Sequence, residues 1–301
     1  MVCASPEQIK KRELSEEKVI ASLPKRKVDS HKGNYGKLLN IAGCKRMSGA
    51  AALSTLAALR SGAGLVRLAS VESVIERLAS SIYEAVYLPL SADKSGAIAA
   101  ENVVQILSAA EQATAVSIGC GLSVTGGVAV IVKEIIKNIE CPIILDADGI
   151  NCLADNIDII KNARSNLIIT PHEAELTRLA RALGIESGLG RYGTAVMLAQ
   201  KYGIIVVAKG VPTIITGEGF AEVCHAGNPG LSKGGSGDVL TGIIASLAAQ
   251  GMKPLEAASA GVLIHGLAAD RAAERLSQAG MLPSDVITEL PLVFKDWEEL
   301  V

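Results

Sequence analysis

The sequence predicts an α/β fold with a mostly parallel central sheet that helices cover on both faces. Segments typical of strands alternate with segments typical of helices of roughly 10–15 residues, which is the pattern of repeated strand–helix–strand units. The strand segments are near-continuous runs of Val, Ile and Leu, as expected when both faces of a strand are buried. With 301 residues, of which 49% are hydrophobic, the chain is long enough for one large domain with a sizeable core.

The first residues of the chain, 1–27, are charged and mixed in character. We predict that they form a helical extension ahead of a single domain over residues 28–301. Within the extension, residues 15–22 are predicted to form a helix. Ser15 would be its N-cap, and Glu16 and Glu17 would lie in the first turn, where carboxylates complement the helix dipole.

The first half of the domain supplies strands and helices in alternation. The candidate strands are "KLLNIAG", which ends at Gly43, "LVRLAS" and "ATAVSIGCG". The candidate helices are "SGAAALSTLAALRSGAG", which stops at Gly62 or Gly64, "VESVIERLASS" and "VTGGVAVIVKEIIKN". Glycines close several of these segments, as expected at boundaries between elements.

The second half continues this alternation and then ends in helices. The segments "CPIILDADG", "SNLIITP" and "IIVVAKG" are typical of strands, and "HEAELTRLARAL" and "TAVMLAQKYG" are typical of helices. The strands "PTIIT" and "FAEVCH" flank "GEG", which predicts a β-hairpin at an edge of the sheet. The closing helices are "GDVLTGIIASLAAQ", "PLEAASAGVLIHGLAADRAAERL" and "PSDVITELPLVFKDWEEL".

Small and polar residues collect where the predicted strands end. They are Gly43, residues 119–121, residues 146–148, residues 170–172 and residues 209–210. In open parallel sheets, ligands bind beyond the carboxyl ends of the strands. We therefore predict a functional site along this edge of the sheet.

The charge and aromatic content argue against several classes of partner. Lys and Arg number 29 against 31 Asp and Glu, which gives a net charge of −2. This balance does not favour a nucleic acid or a membrane surface as partner. Only 3% of residues are aromatic, too few for platforms on which single-stranded bases stack.

The cysteines and histidines show no disulfide or zinc pattern. The six cysteines contain no Cys-x-x-Cys pair, and the four histidines are scattered. We expect reduced, mostly buried thiols in a cytoplasmic protein. The charged N-terminus does not resemble a signal peptide, and no apolar run is long enough to span a membrane. The cysteines are Cys3, Cys44, Cys120, Cys141, Cys152 and Cys224.

The stretch "GGSGD" at residues 234–238 predicts an anion-binding turn, although its spacing fits neither common phosphate-binding motif. Its glycines let the backbone turn with amide groups exposed. The helix that begins near Ser236 or Asp238 aims its positive end at the same place. Together these features predict an anion hole for a phosphoryl group, formed by Gly234, Gly235, Ser236 and Gly237.

Asp238 follows this turn directly. A lone Asp at a helix N-terminus is most often a cap. Beside a phosphate cradle, however, its carboxylate is placed to accept a proton from a hydroxyl that attacks phosphorus. We therefore favour Asp238 as a general base.

The segment "NPGLSKGGSGDVLTG" resembles the signature of the ATP- or ADP-dependent NAD(P)H-hydrate dehydratases, a branch of the ribokinase-like superfamily. The segments "HKGNYGKLLNIAG", "IGCGLS", "LDADGIN", "TPHEAEL" and "AKGVPTIIT" agree in order, so the resemblance covers about residues 28–275. One mild departure is Cys120, where the family commonly has proline. The resemblance implies a ribokinase-like three-layer α/β/α sandwich over residues 28–301, which would form the single catalytic domain.

The resemblance also implies a reaction and its partners. NADH and NADPH become hydrated in error at the nicotinamide ring. The enzyme phosphorylates the 6-hydroxyl at the expense of ADP or ATP with Mg²⁺, and elimination of phosphate then restores the reduced cofactor. Asp238 would activate the hydroxyl, and Ala50, Gly121, His172 and Asp238 would bind the hydrated dinucleotide. The nucleotide would contact Lys209, Gly210, Val211, Pro212, Thr213, Asn228 and Gly237.

Several of these residues also have a purely structural interpretation. Ala50 would otherwise serve helix packing, and His172 would be a capping or core histidine. Lys233 either adds positive charge to the anion hole or is a solvated surface lysine. Asp146, Asp148 and Glu173, with Glu175 as a further member, would orient Mg²⁺ or its waters, or would serve turn and cap chemistry. No all-protein metal cage is visible, so Mg²⁺ is expected to arrive with the nucleotide.

Two other functions share the predicted site. One is a small-molecule kinase of the same superfamily that acts on a hydroxyethylthiazole or hydroxymethylpyrimidine alcohol; the segments "SGAAALS" and "TPHEAEL" fit the dehydratases better. The other is a non-enzymatic nucleotide sensor, which has no need of a proton acceptor beside the phosphate.

The relatives suggest a homotetramer. Small apolar faces on the Ala-rich segments "LSTLAALRSGAG" and "AASAGVLIHGLAAD" would serve either an oligomer interface or packing within the chain. The sequence does not separate ATP from ADP as donor, or NADHX from NADPHX, the hydrates of NADH and NADPH, as preferred substrate.

Overall fold

The central feature of the molecule is one ten-stranded sheet in the order β1-β10-β9-β8-β7-β6-β5-β2-β3-β4. The structure, a computed structural model, describes residues 9–154, 157–184, 189–217 and 219–299. The strands are β1 Lys10–Glu13, β2 Lys37–Ile41, β3 Leu65–Val71, β4 Val86–Leu90, β5 Ala115–Ile118, β6 Ile143–Leu145, β7 Leu167–Ile169, β8 Ile205–Ala208, β9 Thr213–Gly217 and β10 Phe220–Cys224. The helices are α1 Glu16–Ser22, α2 Ser48–Arg60, α3 Glu72–Leu78, α4 Val103–Glu111, α5 Gly126–Asn138, α6 Ala147–Asn151, α7 Glu173–Ala182, α8 Gly190–Tyr202, α9 Ser236–Ala249, α10 Pro254–Leu276 and α11 Pro283–Glu298.

The sheet is parallel except around β9, which pairs antiparallel with β8 and β10. The hairpin predicted from "PTIIT" and "FAEVCH" is therefore confirmed as β9 and β10. Its predicted position at an edge is wrong, because β1 pairs in parallel with the outer side of β10. The residues of β1 are exposed and charged, so the hydrophobic pattern gave no sign of this strand.

Helices cover both faces of the sheet. Successive side chains along a strand point alternately to one face and the other. In β6, Ile143 and Leu145 belong to one buried cluster and Ile144 to the other. This alternation is the period of two that side chains follow along a strand. Helices α4, α5, α7 and α8 pack on the first face, and α9, α10 and α11 on the second. The predicted three-layer α/β/α sandwich is thereby confirmed.

The N-terminal region confirms one prediction and adds a strand. Helix α1 begins after Ser15, whose hydroxyl accepts a hydrogen bond from the Lys18 amide, as the sequence predicted. The division at residue 28 stays a prediction, and β1 extends the sheet from the N-terminal side of it. The sequence analysis also did not identify β4 or α4.

The strand order reverses between β2 and β5. From β2 the chain proceeds outward to β3 and β4, and then returns to place β5 on the other side of β2. The loops after β2 and β5 therefore diverge at the carboxyl edge of the sheet. Such a switch point opens a crevice, and it is the usual ligand site in open parallel sheets.

The Ala-rich segment of α10 packs inside the chain itself. Its residues Ala257, Ala258, Ala260, Ala268 and Ala269 are all buried in the core on the second face of the sheet. Of the two roles considered for this segment, packing within the chain is the one observed.

Among the described residues, no helix combines the length and apolar character needed to cross a bilayer. Within the described ranges, Cys44, Cys120 and Cys224 are buried and form no disulfide, while Cys3 lies outside the described residues.

Candidate active site

Three neighbouring strands bring Asp146, Thr170 and Lys209 together at the carboxyl edge. Strands β6, β7 and β8 pair in parallel, and these residues follow their respective ends. The Lys209 Nζ lies 2.8 Å from Asp146 Oδ1, and the Thr170 hydroxyl donates to the same oxygen at 2.7 Å. Asp146 is only 1% exposed, so its charge is balanced by the ammonium rather than by water.

Asp238, in the first turn of α9, joins this group. One ligand atom each of Cys120, Asp146 and Asp238 lie within 4.8 Å of one another. We call Cys120, Asp146, Lys209 and Asp238 the carboxylate cluster. Burial, and next the negative charge of Asp146, raise the pKa of Asp238 to about 6. A carboxylate with this pKa is ionised near neutral pH and is a stronger base than an exposed one.

The glycine-rich turn leaves most of its amides available. Gly235 has a φ of 103°, a left-handed conformation that glycine adopts without strain, and α9 begins at the next residue. Within the described ranges, the amide of Ser236 donates to the Lys233 carbonyl at 3.3 Å, whereas those of Gly234, Gly235, Gly237 and Asp238 donate to no other group. Free amides at a helix N-terminus are the donors that an anion requires.

Gly237 connects the turn to the carboxylate cluster. A Cβ built on Gly237 would lie 3.2 Å from Lys209 Nζ and 3.6 Å from Asp146 Oδ2. A Cβ on Gly234, by contrast, would meet no atom within 4 Å. The absence of a side chain at residue 237 therefore keeps the space between α9 and the Lys209–Asp146 pair open.

Lys233 has a role that neither sequence interpretation included. Its ammonium donates to the carbonyls of Ala279 and Met281, both at 2.6 Å. These carbonyls belong to the loop between α10 and α11. Lys233 therefore holds that loop against the glycine-rich turn, rather than being a solvated surface lysine.

The residues predicted to bind the nucleotide follow β8 and β10. Gly210 lies against Arg191, and a Cβ there would fall 1.7 Å from the guanidinium. The Thr213 hydroxyl donates to the Gly210 carbonyl, and the Val211 side chain is 94% exposed next to a cis bond to Pro212. This exposed turn leaves a side of Lys209–Thr213 accessible to a ligand.

Hydrogen bonds to residues of α10 hold Asn228 in place. Its side-chain amide donates to Asp270 Oδ1 at 2.9 Å and to the Ala269 carbonyl at 3.0 Å, and its Oδ1 accepts from the Gly230 amide. Asn228 thus fixes the loop ahead of the glycine-rich turn, and the prediction that it shapes a nucleotide pocket stays a prediction.

Two residues predicted to bind the dinucleotide touch each other. Ala50 lies in the first turn of α2, and a Cβ on Gly121 would lie 2.7 Å from the Ala50 Cβ. Gly121 has a φ of 64°, so a larger residue would be both strained and obstructed there. Small residues at both positions bring two backbone segments together at the switch point.

His172 caps α7. Its Nδ1 accepts from the Ala174 amide at 3.1 Å, and the Glu175 carboxylate accepts from the His172 amide at 2.8 Å. The capping interpretation is confirmed. The imidazole is also 54% exposed, so a contact with a ligand stays compatible with capping.

The acidic residues do not form a magnesium cage among the described residues. Asp146 is bonded to Lys209, Asp148 accepts from the Ser123 amide at 2.7 Å, and Glu173 is exposed on α7. Burial raises the pKa of Glu175, which serves the His172 cap. The remaining neighbour of Asp238 is the Cys120 thiol, and Mg²⁺ prefers oxygen ligands to sulfur. The donor set therefore does not fit Mg²⁺ held by protein alone.

Sequence reasoning missed three features of the site. Cys120 was noted only as a departure from proline, yet burial, and then the charges of Asp238 and Asp146, raise the pKa of its thiol well above the usual value. Thr170 was known only as part of a strand end. His265 of α10 lies next to the Ser236 backbone, and burial lowers the pKa of its imidazole to about 4. The sequence around His265 is an apolar helix, and nothing in it indicated that this histidine lies beside the glycine-rich turn.

A separate cavity of about 850 Å³ lies away from the carboxylate cluster. It is bounded by α1, the end of α2 and α11, and Leu23, Leu59, Leu247 and Phe294 line it. Its volume alone would make this cavity a candidate binding site. The Lys209–Asp146 ion pair, Asp238 and the free amides of the glycine-rich turn lie elsewhere, at the carboxyl edge of the sheet.

The chain resembles known proteins over nearly its whole length. A family model described as NAD(P)H-hydrate dehydratase matches residues 38–292. The bifunctional NAD(P)H-hydrate repair enzyme Nnr of Moorella thermoacetica is 35% identical over 282 residues, which cover 93% of this chain and 53% of that protein. The chain thus spans about half the length of such relatives. The ADP-dependent (S)-NAD(P)H-hydrate dehydratase of Xanthomonas campestris is 34% identical over 86% of this chain and 88% of its own.

Solved structures give the same result. The ADP/ATP-dependent NAD(P)H-hydrate dehydratase from Bacillus subtilis, co-crystallised with ATP and Mg²⁺, superposes with a TM-score of 0.78 at 30% identity and covers 96% of this chain and 99% of its own. A hydroxyethylthiazole kinase from Pyrococcus horikoshii reaches a TM-score of 0.57 at 15% identity over 90% of each chain, which is a likeness of fold alone. A ribokinase-like superfamily protein from Enterococcus faecalis superposes with a TM-score of 0.79 at 27% identity over 95% of this chain and 96% of its own. On these matches, the chain belongs to the NAD(P)H-hydrate dehydratase family, within the ribokinase-like superfamily.

Proposed function

We propose that this protein restores NADH and NADPH from their 6-hydroxy hydrates at the expense of ADP or ATP. The observation that carries the proposal is the position of Asp238. Its carboxylate, with a pKa raised to about 6, lies in the first turn of a helix whose amides are free. The names of the relatives support the choice of substrate.

The first step is phosphoryl transfer. Asp238 accepts the proton of the 6-hydroxyl while its oxygen attacks the terminal phosphorus of the nucleotide. The new O–P bond forms as the bond to the departing nucleotide breaks. The amides of Gly235 and Gly237 stabilise the charge on the phosphoryl oxygens, because free backbone donors fixed in place need no reorganisation.

Lys209 supplies positive charge next to this step. Burial disfavours its charged form, but Asp146 and Glu175 outweigh that effect and raise the pKa of Lys209. The ammonium therefore stays protonated, and Asp146 holds it between β8 and α9. We assign Lys209 to electrostatic stabilisation of the transferring group.

The second step is elimination. Phosphate is a far better leaving group than hydroxide, so electrons of the ring nitrogen expel it from C6. Loss of a proton from C5 then restores the ring double bond of the reduced cofactor. Mg²⁺ enters as part of the nucleotide substrate, since the acidic residues of the site do not fit a protein-held ion.

Recovery of absorbance near 340 nm tests the proposal. The protein is mixed with hydrated NADH or NADPH, Mg²⁺ and either ADP or ATP, and recovery is expected with at least one donor. Asp238→Asn is expected to abolish recovery while leaving nucleotide binding largely intact. Absence of recovery with both donors, together with phosphorylation of a thiazole or pyrimidine alcohol, would replace the proposal with the small-molecule kinase.

We infer further that the protein acts in the cytoplasm as a homo-oligomer, with a tetramer expected from the resemblance. The inference draws on the family and not on the Ala-rich helices, whose apolar residues are buried within the chain. Light scattering coupled to size-exclusion chromatography measures the assembly, and a mass of one chain, 31.1 kDa, would contradict it.

A further inference from the structure

Three loops at the carboxyl edge of the sheet carry exposed cations. The loop after β2 contains Lys45 and Arg46, the helix after β3 contains Arg77, and the turn after β4 contains Lys94. Since β2, β3 and β4 are neighbours in the sheet, these loops lie side by side. We call these four side chains the basic rim.

Specific contacts hold the loops of the basic rim together. The Lys45 amide donates to the Gly96 carbonyl at 2.9 Å, and the Arg77 guanidinium donates to the Lys45 carbonyl at the same distance. A Cβ on Gly96 would lie 2.6 Å from the Lys45 Cβ, so the two loops are in close contact. The rim is therefore a built surface rather than a set of independent side chains.

The basic rim adjoins the dinucleotide side of the candidate active site. The Gly43 amide donates to the Cys120 carbonyl at 2.8 Å, and Cys44 Sγ lies 3.3 Å from the Ser123 hydroxyl. The loop of Lys45 and Arg46 is thus attached to the loop whose Cys120 contacts Asp238. The same loop leads directly into α2 and Ala50.

Among the described residues, the cations of the basic rim are not ion-paired. In the part of the chain that the structure describes, none of its four side chains forms an ion pair. Asp93, the acid in the turn of Lys94, accepts hydrogen bonds from the Ser95 hydroxyl and from the Ser95 and Ala97 amides, which lower its pKa and keep it negatively charged. Basic residues elsewhere, such as Arg271 and Arg275, pair with carboxylates. The four cations therefore give the rim a positive charge that its acidic neighbours, Asp93 among them, offset only in part.

We propose that the basic rim binds the phosphate groups of the dinucleotide substrate, and that Arg46 is its principal contact. The identity of that substrate rests on the proposed function. A hydrated dinucleotide carries a pyrophosphate, and the NADPH form adds a 2′-phosphate. Guanidinium groups bind phosphate oxygens with two parallel hydrogen bonds, which fixes the distal part of the substrate while the nicotinamide end lies near Asp238.

The experiment compares Arg46→Ala and the double variant Lys45→Ala/Arg46→Ala with wild type. Binding of NADH and NADPH is followed by their own fluorescence, and turnover of both hydrates by absorbance at 340 nm. We expect dissociation constants and KM to rise about tenfold or more at low salt, with the main loss in KM rather than kcat. The effect should shrink at high ionic strength, because salt screens exposed charges.

The two phosphate positions give different results. A rise confined to the NADPH forms assigns the rim to the 2′-phosphate, and an equal rise for both cofactors assigns it to the pyrophosphate. Arg164→Ala is the matched control, because this exposed arginine precedes β7 at the amino edge of the sheet. Its constants should equal those of wild type.

Unchanged binding and KM for both cofactors in the double variant would overturn the inference and leave the rim a solvated surface. If the wild-type protein binds NADPH through the rim but never restores absorbance, the proposed function is contradicted and the inference about the rim is not. Because the fluorescence measurement does not depend on turnover, the two failures are distinguishable.

Discussion

Lys209 and Asp146 form an ion pair across two strand ends, with 2.8 Å between Nζ and Oδ1 and side-chain exposures of 20% and 2%. Because Lys209 and Thr170 already satisfy Asp146, the second carboxylate of the cluster, Asp238, is the one without a cation bonded to it among the described residues. The two carboxylates consequently differ in role. Asp146 holds the Lys209 ammonium, and in the proposed function Asp238 is the carboxylate that exchanges a proton.

Removing the ammonium should destabilise the fold. In Lys209→Met, Asp146 keeps its buried charge without a partner, which we expect to lower the free energy of unfolding by about 3 kcal/mol. Adding Asp146→Asn removes the stranded charge, so the double variant should regain much of that loss. Urea unfolding measures all three proteins. A loss below about 1 kcal/mol in Lys209→Met would show that the pair is screened by water.

The pH dependence of activity should report Asp238. A general base must be ionised, and the pKa of this carboxyl is raised to about 6. We therefore expect kcat/KM to rise with pH through about 6 and to level off above it. Measurements between pH 4.5 and 8 check this expectation with enzyme stability monitored at each point. An acidic limb centred near pH 4 would mean that Asp238 is solvated during turnover or is not the base.

The same carboxyl should cost the protein stability. Its pKa is raised from 3.8 to about 6, so the folded state holds the proton over a pH range in which the unfolded chain releases it. The stability that the folded state gains by binding this proton more tightly is complete below about pH 4 and is lost as pH rises through 6. Asp238→Asn cannot ionise, and we expect it to be about 1–3 kcal/mol more stable than wild type at pH 7.5.

At pH 4 this advantage of Asp238→Asn should vanish, since the wild-type carboxyl is then protonated. Denaturant unfolding at both pH values makes the comparison. Equal stability of the two proteins at pH 7.5 would mean that the ionised carboxylate is solvated or paired in the folded state. A variant that is inactive and more stable would place Asp238 among residues retained for chemistry rather than for folding.

The sequence predicted those parts of the molecule that local patterns encode. Apolar runs such as "PIIL" gave the buried strands, and the glycines before Asp238 gave the start of α9. The pairing of Lys209 with Asp146 was not predictable, because it depends on the register of β6, β7 and β8. Strand β1 was missed since its exposed charged residues lack the alternation of a half-buried strand.

Side-chain contacts at long range were likewise hidden. Lys233 directly precedes the glycine-rich turn in the sequence, which suggested a phosphate or solvent as its partner, yet it donates to carbonyls more than forty residues further along the chain. His172 was correctly given a capping alternative, because N-capping depends on the next three residues alone. The contrast separates local hydrogen bonds, which a sequence can indicate, from tertiary ones.

Gly237→Ala tests whether the space beside Lys209 is needed for catalysis. The added Cβ would lie 3.2 Å from Lys209 Nζ, and the φ of Gly237 is not left-handed, so the helix should form at least as well as with glycine. We expect unchanged or slightly higher thermal stability and at least a tenfold loss of kcat/KM, because the methyl group occupies the approach to the free amides. Gly126→Ala is the control, since it changes the first residue of α5 where a Cβ meets nothing within 4 Å. Full activity in Gly237→Ala would mean that the phosphoryl group does not pass between α9 and the Lys209–Asp146 pair.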